Sequence, residues 1–174
     1  MIEVQIEGIE IFDQLKNSDK QLEKALYFAK NRALNTVKTE LARGVPKKYD
    51  TKQKTIRDRT RVNKNTGEVS VTGSPIRLFK FRVTPTSPRR QLVTASVKRV
   101  SKSLPHAFVA QMSNGHIGIF ERSKEKERYP IRQLYSVSAA QMAGNKEVLE
   151  GAMERASIVF DERLSHEIGR LMDD

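Results

Sequence analysis

Three histidines, His106, His116 and His166, are the side chains of this sequence best suited to metal ligation or to proton transfer near neutral pH. Their spacing serves neither purpose. His166-Glu167 opens like a zinc-binding His-Glu-x-x-His helix, but Arg170 stands where the second histidine belongs. Glu162 and His166 are four residues apart, which on a helix makes a solvated surface contact. Glu147, Glu150 and Glu154 fall on the outside of an expected helix, the first two in its first turn, where negative charge complements the dipole. There is no Gly-x-x-x-x-Gly-Lys-Ser/Thr phosphate loop, no Gly-x-Gly-x-x-Gly and no Gly-x-Ser-x-Gly. With no cysteine, disulfides and thiolate metal sites are excluded. The residues point to a non-enzyme that requires no cofactor and no metal.

The chemistry that the sequence does offer is cationic. Lys47, Lys48, Lys52, Lys54, Arg57, Arg59, Arg61 and Lys64 face only Asp50, Asp58 and Glu68. Cations at this density can neutralise phosphates, with binding that falls steeply as salt rises. Tyr49 is the only aromatic among them, so stacking on bases is not supported. The net charge of +11 is also segregated. Residues 1–29 carry −3, residues 30–104 carry +16 and residues 105–174 carry −2. Such placement suits a face that meets a polyanion or an acidic protein surface. Contact with DNA or an acidic partner, and a solvated arm that orders only on assembly, both remain open.

The elements that must position these residues are readable from periodicity. Ile2, Val4 and Ile6 alternate with polar residues, which predicts a half-buried strand ending near Gly8 and no secretory signal. Asn17 or Ser18 can cap a following helix, whose apolar stripe is Leu22, Leu26, Ala29, Ala33, Val37 and Leu41. Gly44 and Pro46 are expected to stop it. Residues 45–68 read as a basic exposed arm or loop, with a short helix near Thr51–Arg59 as an alternative and a turn at Asn65-Thr66-Gly67. Strands are expected at Val69–Thr72, Ile76–Val83, Leu92–Val100, Ala107–Met112 and His116–Phe120. Thr84–Pro88 is a loop, and Ser113-Asn114-Gly115 is a tight reversal. Val148, Ala152, Ala156, Phe160, Leu164, Ile168 and Leu171 repeat as one stripe of a long C-terminal helix.

Strands bracketed by helices predict an α+β fold: a small antiparallel β-sheet packed by a long N-terminal and a long C-terminal helix. A chain of 174 residues suits a single domain spanning 1–174. No apolar run approaches the ~20 residues of a membrane helix, so no membrane partner is expected. Phe120, Arg122, Pro130, Ile131, Leu134 and Tyr135 form a set around the charged turn Arg122–Arg128. They serve either to close the core beneath the sheet or as a subunit contact.

GHIGIFER (Gly115–Arg122), YPIRQLYSVS (Tyr129–Ser138) with Met142, and the terminal FDERLSHEIGRL (Phe160–Leu171) resemble the phage minor tail protein Z family. A long N-terminal helix followed by Val45-Pro46 and a basic segment is similar as well. The resemblance implies a virion component that completes the head-proximal end of the tail, assembled in the host bacterial cytoplasm. It implies likeness to phage connector and tail-terminator proteins, hence other tail and neck proteins as partners and a homo-oligomeric ring. Phage DNA is a further partner by charge. The family brings no catalytic or ligand-binding positions to this chain.

Three functions therefore compete on the sequence. A structural tail-completion protein accounts for the motifs and the charge. A free-standing, sequence-independent DNA-binding protein accounts for the +16 segment alone. An enzyme has only scattered carboxylates and histidines behind it.

Overall fold

The computed structural model of the protein describes residues 2–5, 20–89, 91–123 and 130–173. Its elements are β1 (Ile2–Gln5), α1 (Lys20–Lys48), α2 (Gln53–Arg57), β2 (Thr60–Asn63), β3 (Glu68–Val71), β4 (Pro75–Arg77), a 3-10 turn (Leu78–Lys80), β5 (Arg82–Thr84), β6 (Val93–Ser96), β7 (Ser101–Leu104), β8 (Ala107–Gln111), β9 (Ile117–Arg122), β10 (Ile131–Gln133), β11 (Tyr135–Ser138), α3 (Ala139–Ala143) and α4 (Lys146–Asp173). Two long helices and small antiparallel sheets make it α+β. The strand orders are β1-β3-β2, β10-β9-β8, β11-β4 and β5-β6-β7, with every pair antiparallel.

The helical layer follows from the two stripes. Leu26, Ala29, Ala33, Leu34, Val37, Leu41 and Val45 of α1 are buried, as are Val148, Ala152 and Ala156 of α4. The two helices pack along each other, with the end of α1 against the start of α4. Alanines on both sides of this contact let the backbones approach. Asn145 Oδ1 accepts from Val148 N at 3.4 Å and starts α4. Ser138 forms a capping box with Gln141 at the head of α3. Glu167, the one buried carboxylate among the described residues, is flanked on its own helix by Arg163 and by Arg170 at 3.6 Å.

The expected stop at Gly44 and Pro46 is corrected: α1 runs through both to Lys48. Gly44 is a packing residue. A Cβ placed there would lie 3.1 Å from Val148 Cγ1. Pro46 removes one helical hydrogen bond, but Val45 and Tyr49 on either side of it are both buried, and Tyr49 N still donates to Val45 O at 2.9 Å. That burial offsets the missing bond. The proposed caps Asn17 and Ser18, the strand end near Gly8 and most of the charged turn lie outside the described residues.

Residues 45–68 are not an arm or a loop. They hold the end of α1, the helix α2, the strand β2 and the β2–β3 turn. Ile56, with 0% exposure, anchors α2 in the core, and Thr60 Oγ1 donates to Ile56 O at 2.8 Å. A segment poor in apolar residues is held by two or three well-placed ones. The predicted turn at Asn65-Thr66-Gly67 is present, with Asn63 Oδ1 accepting from Asn65 N at 3.1 Å.

Two other expected strands are each broken. Ile76–Val83 splits into β4, the 3-10 turn and β5. In an unbroken strand, Ile76 and Leu78 would face one side and Phe81 and Val83 the other. The turn shifts the parity, so all four are buried. Leu92–Val100 splits as well, into β6 and a turn leading to β7. Arg99 adopts φ 61° in that turn. Asp50 holds it there: its carboxylate accepts from Ser96 Oγ and, at 3.2 Å, from Arg99 N, while Asp50 N donates to Val97 O at 2.9 Å. Arg99 also donates to Pro46 O and so satisfies a terminal carbonyl of α1.

The hairpin β8–β9 forms as expected, in the register Phe108↔Phe120 and Ala110↔Gly118. Gly115 takes φ +77°, which a side chain would disfavour, and Met112 N donates to His116 O at 2.8 Å across the reversal.

Candidate interaction surfaces

The eight predicted cations are dispersed rather than gathered. Lys47 and Lys48 lie in the last turn of α1, where positive charge complements the dipole. Lys48 pairs with Glu147 and ties α1 to α4. Lys52, Lys54 and Arg57 are exposed on and beside α2. Arg61 and Lys64 line a shallow groove on the β2–β3 hairpin, together with Asn63, Glu68 and Ser70. The carboxylate of Glu68 makes that groove mixed in charge.

Arg59 turns elsewhere. Its guanidinium donates to Ser74 O at 3.3 Å and lies against Gly73 so closely that a Cβ there would be 2.5 Å from Nη1. Gly73, at φ +152°, is the residue that makes room for it. Arg59 thereby joins Arg77, Lys80 and Tyr135 around an open groove of about 400 Å³ that Ser74, Pro75 and Ile76 also line. No carboxylate lines it. Among the described residues, Arg59, Arg77 and Lys80 have no ion-pair partner. Sequence reasoning missed Arg77 and Lys80 as site residues. The groove brings β4 beside β11, in the register Arg77↔Tyr135, and these strands lie far apart in the chain. The alternation of Arg77, Lys80 and Arg82 with apolar residues was the only local signal.

The set proposed to close the core or to touch a subunit divides between buried and exposed positions. Phe120 is 6% exposed and packs against Phe108 and His116, at ring-centroid distances of 6.3 and 6.5 Å. Leu134 packs on the core, its N–H donating to Ile119 O at 2.8 Å and its carbonyl accepting from Leu78 N at 2.9 Å. Ile131 is half-buried opposite Arg122. Arg122, Pro130 and Tyr135 are exposed. The Arg122 guanidinium lies 5.6 Å from the Phe108 ring centroid, a cation–π arrangement on the sheet.

The histidines occupy separate places: His106 in the β7–β8 turn, His116 before β9 and His166 on α4. His116 Nε2 is 2.8 Å from the side-chain nitrogen of Gln133. Among the described residues no three His, Asp or Glu side chains are grouped to hold a metal ion, and no helix is long and apolar enough to cross a membrane.

Both grooves are open; the Arg59–Arg77–Lys80 groove is lined by cations without a carboxylate, whereas the β2–β3 groove is mixed in charge. No curated protein and no solved structure matches the chain. A family model does: that of prophage minor tail protein Z (GPZ), over residues 7–173. The match covers every described element except β1, from α1 to the end of α4, and it places this chain in the prophage minor tail protein Z family.

Proposed function

We propose that this minor tail protein completes the head-proximal end of the phage tail and helps join tail to head, as a ring of identical copies. The family match over residues 7–173 carries the reading, because it supports a structural role in the tail. The surface fits that role. Its cations are displayed on α2, on the β2–β3 hairpin and in the Arg59–Arg77–Lys80 groove, so several faces can meet acidic neighbours in one assembly. Partners on this reading are other tail and neck proteins, and the protein acts in the virion tail after assembly in the host cytoplasm. It does no catalysis. Electron microscopy of lysates from the source phage or prophage with this gene deleted tests the reading. Unjoined heads and tails, or joined particles that fail to infect, are expected. Normal infectious particles would reject it.

A second reading, sequence-independent DNA binding, is favoured by one observation: Lys47, Lys52, Lys54, Arg57, Arg61 and Lys64 are all exposed. Binding to duplex DNA that disappears as salt rises, and that depends on these residues, would support it.

A further inference from the structure

Helix α4 carries a second surface that neither the motifs nor the grooves absorb. Glu147, Glu150, Glu154, Ile158 and Asp161 recur at steps of three or four and are all exposed. At 3.6 residues per turn they form one face, on the opposite side of the helix from buried Val148, Ala152 and Ala156. No Lys or Arg of α4 falls on that face. Glu147 is paired with Lys48, and Glu150 lies 3.8 Å from Lys146. Glu154 and Asp161, about 10 Å apart along the axis, have no ion-pair partner among the described residues. Ile158, 43% exposed, sits between them.

The Arg59–Arg77–Lys80 groove is the counterpart. It has cations without carboxylates, and Tyr135, 53% exposed, on its rim. The acidic face offers two carboxylates without an ion-pair partner among the described residues, Glu154 and Asp161, and one exposed aliphatic side chain between them. The two lie on different elements, since α4 packs on α1 whereas the groove is built from β4, β11 and their neighbours. Neither surface neutralises the other within one molecule.

We propose that this protein associates with a second copy of itself, the outer face of α4 of one copy docking in the Arg59–Arg77–Lys80 groove of the next. The proposal rests on the ring reading above and names the surfaces that would form it. Two unlike patches make a head-to-tail contact, and such a contact closes into a ring or extends as a filament. Exposed charge pairs steer and orient more than they bind. The contact is therefore weak in dilute solution, salt-sensitive, and able to wait for a template. Ile158 and Tyr135 supply its apolar centre.

Sedimentation velocity of the full chain tests it. The wild type is expected to associate with rising concentration at about 0.05 M salt and to dissociate as added salt shortens the screening length. Arg77→Glu with Lys80→Glu, and separately Glu154→Lys with Asp161→Lys, should each weaken self-association about tenfold or more. Mixing the two reversed variants should restore association, because each then offers the other a complementary pair of faces. Should a reversal unfold the protein, Arg77→Gln with Lys80→Gln reads the same weakening. A monomer at every concentration and salt overturns the proposal, as does a mixture of folded variants that stays dissociated. Groove substitutions that abolish binding to duplex DNA or to an acidic tail protein, yet leave self-association intact, also overturn it by assigning the groove another occupant. Each of these results leaves the tail-completion reading to the gene-deletion experiment.

Discussion

Gly44 on α1 faces Val148 on α4 so closely that a Cβ at position 44 would stand 3.1 Å from Val148 Cγ1, and the valine would have to give by a few tenths of an ångström. The glycine sits inside a helix, where it costs about 1 kcal/mol relative to alanine. Close helix approach is what holds it there. Gly44→Val should destabilise the protein by about 1–3 kcal/mol through overpacking. Adding Val148→Ala should recover part of that loss, with a coupling of about 0.5 kcal/mol or more in urea denaturation. Strictly additive losses would assign the glycine a different role.

Ile56 distinguishes a folded basic segment from a mobile one. Its side chain has 0% exposure beneath α2. Ile56→Ala should cost about 2–5 kcal/mol, whereas Lys54→Ala on the exposed side of the same helix should stay within about 0.5 kcal/mol. Equal, negligible effects in thermal or chemical denaturation would mean that the segment stands free of the core.

Asp50 clamps the β6–β7 turn to the end of α1. Replacing it with alanine removes the acceptor for Ser96 Oγ and Arg99 N. The expected loss is about 1–3 kcal/mol. Hydrogen exchange should show faster opening confined first to residues 96–101. Unchanged protection there would contradict the clamp.

Gly118 lies at a close contact in the β9 sheet. A Cβ there would lie 2.7 Å from the Gln133 side-chain nitrogen and 3.1 Å from the Phe120 ring. Gly118→Ala should displace Gln133, break its contact with His116 and cost about 1–3 kcal/mol. Combining it with Gln133→Ala should remove part of the penalty. The imidazole resonances of His116 in NMR spectra report the lost contact directly.

If the cations of α2 touch DNA, the salt dependence will count them. Each phosphate contact removed should flatten the slope of log K against log salt by about 0.9. Lys52→Gln, Lys54→Gln and Arg57→Gln together should lower it by up to about 2.7. A slope unchanged in fluorescence anisotropy would exclude α2 from any DNA interface.

The parts of this fold that were legible in the sequence are those where one period governs a whole element. The stripes of α1 and α4, and the β8–β9 hairpin with its Gly115 reversal, needed no information from elsewhere in the chain. The parts that were not legible depend on distant partners. Ile76–Val83 reads as a strand, but β4 pairs with the distant β11 and a 3-10 turn, closed by Phe81 N donating to Leu78 O, then shifts the parity. Residues 45–68 read as an arm because their composition is polar, yet Tyr49 and Ile56 suffice to seat them. The surfaces follow the same division. The sequence shows that lysines and arginines are dense. It does not show that Arg59 leaves its neighbours to meet Arg77 and Lys80, because Gly73 and the β4–β11 pairing make that meeting possible.

The pairing of α1 with α4 has a consequence for how the chain is made. Lys48 and Glu147, which join the two helices, are 99 positions apart. A ribosome working at about 5–20 residues per second needs about 5–20 s to travel from one to the other. Through that interval the face of α1 that will bury Ala25, Ala29 and Ala33 has no α4 to lie against. Helix α1, which precedes the other described helices in the chain, is thus among the last to be covered, and a chain released before α4 leaves the apolar side of α1 open to aggregation and proteolysis.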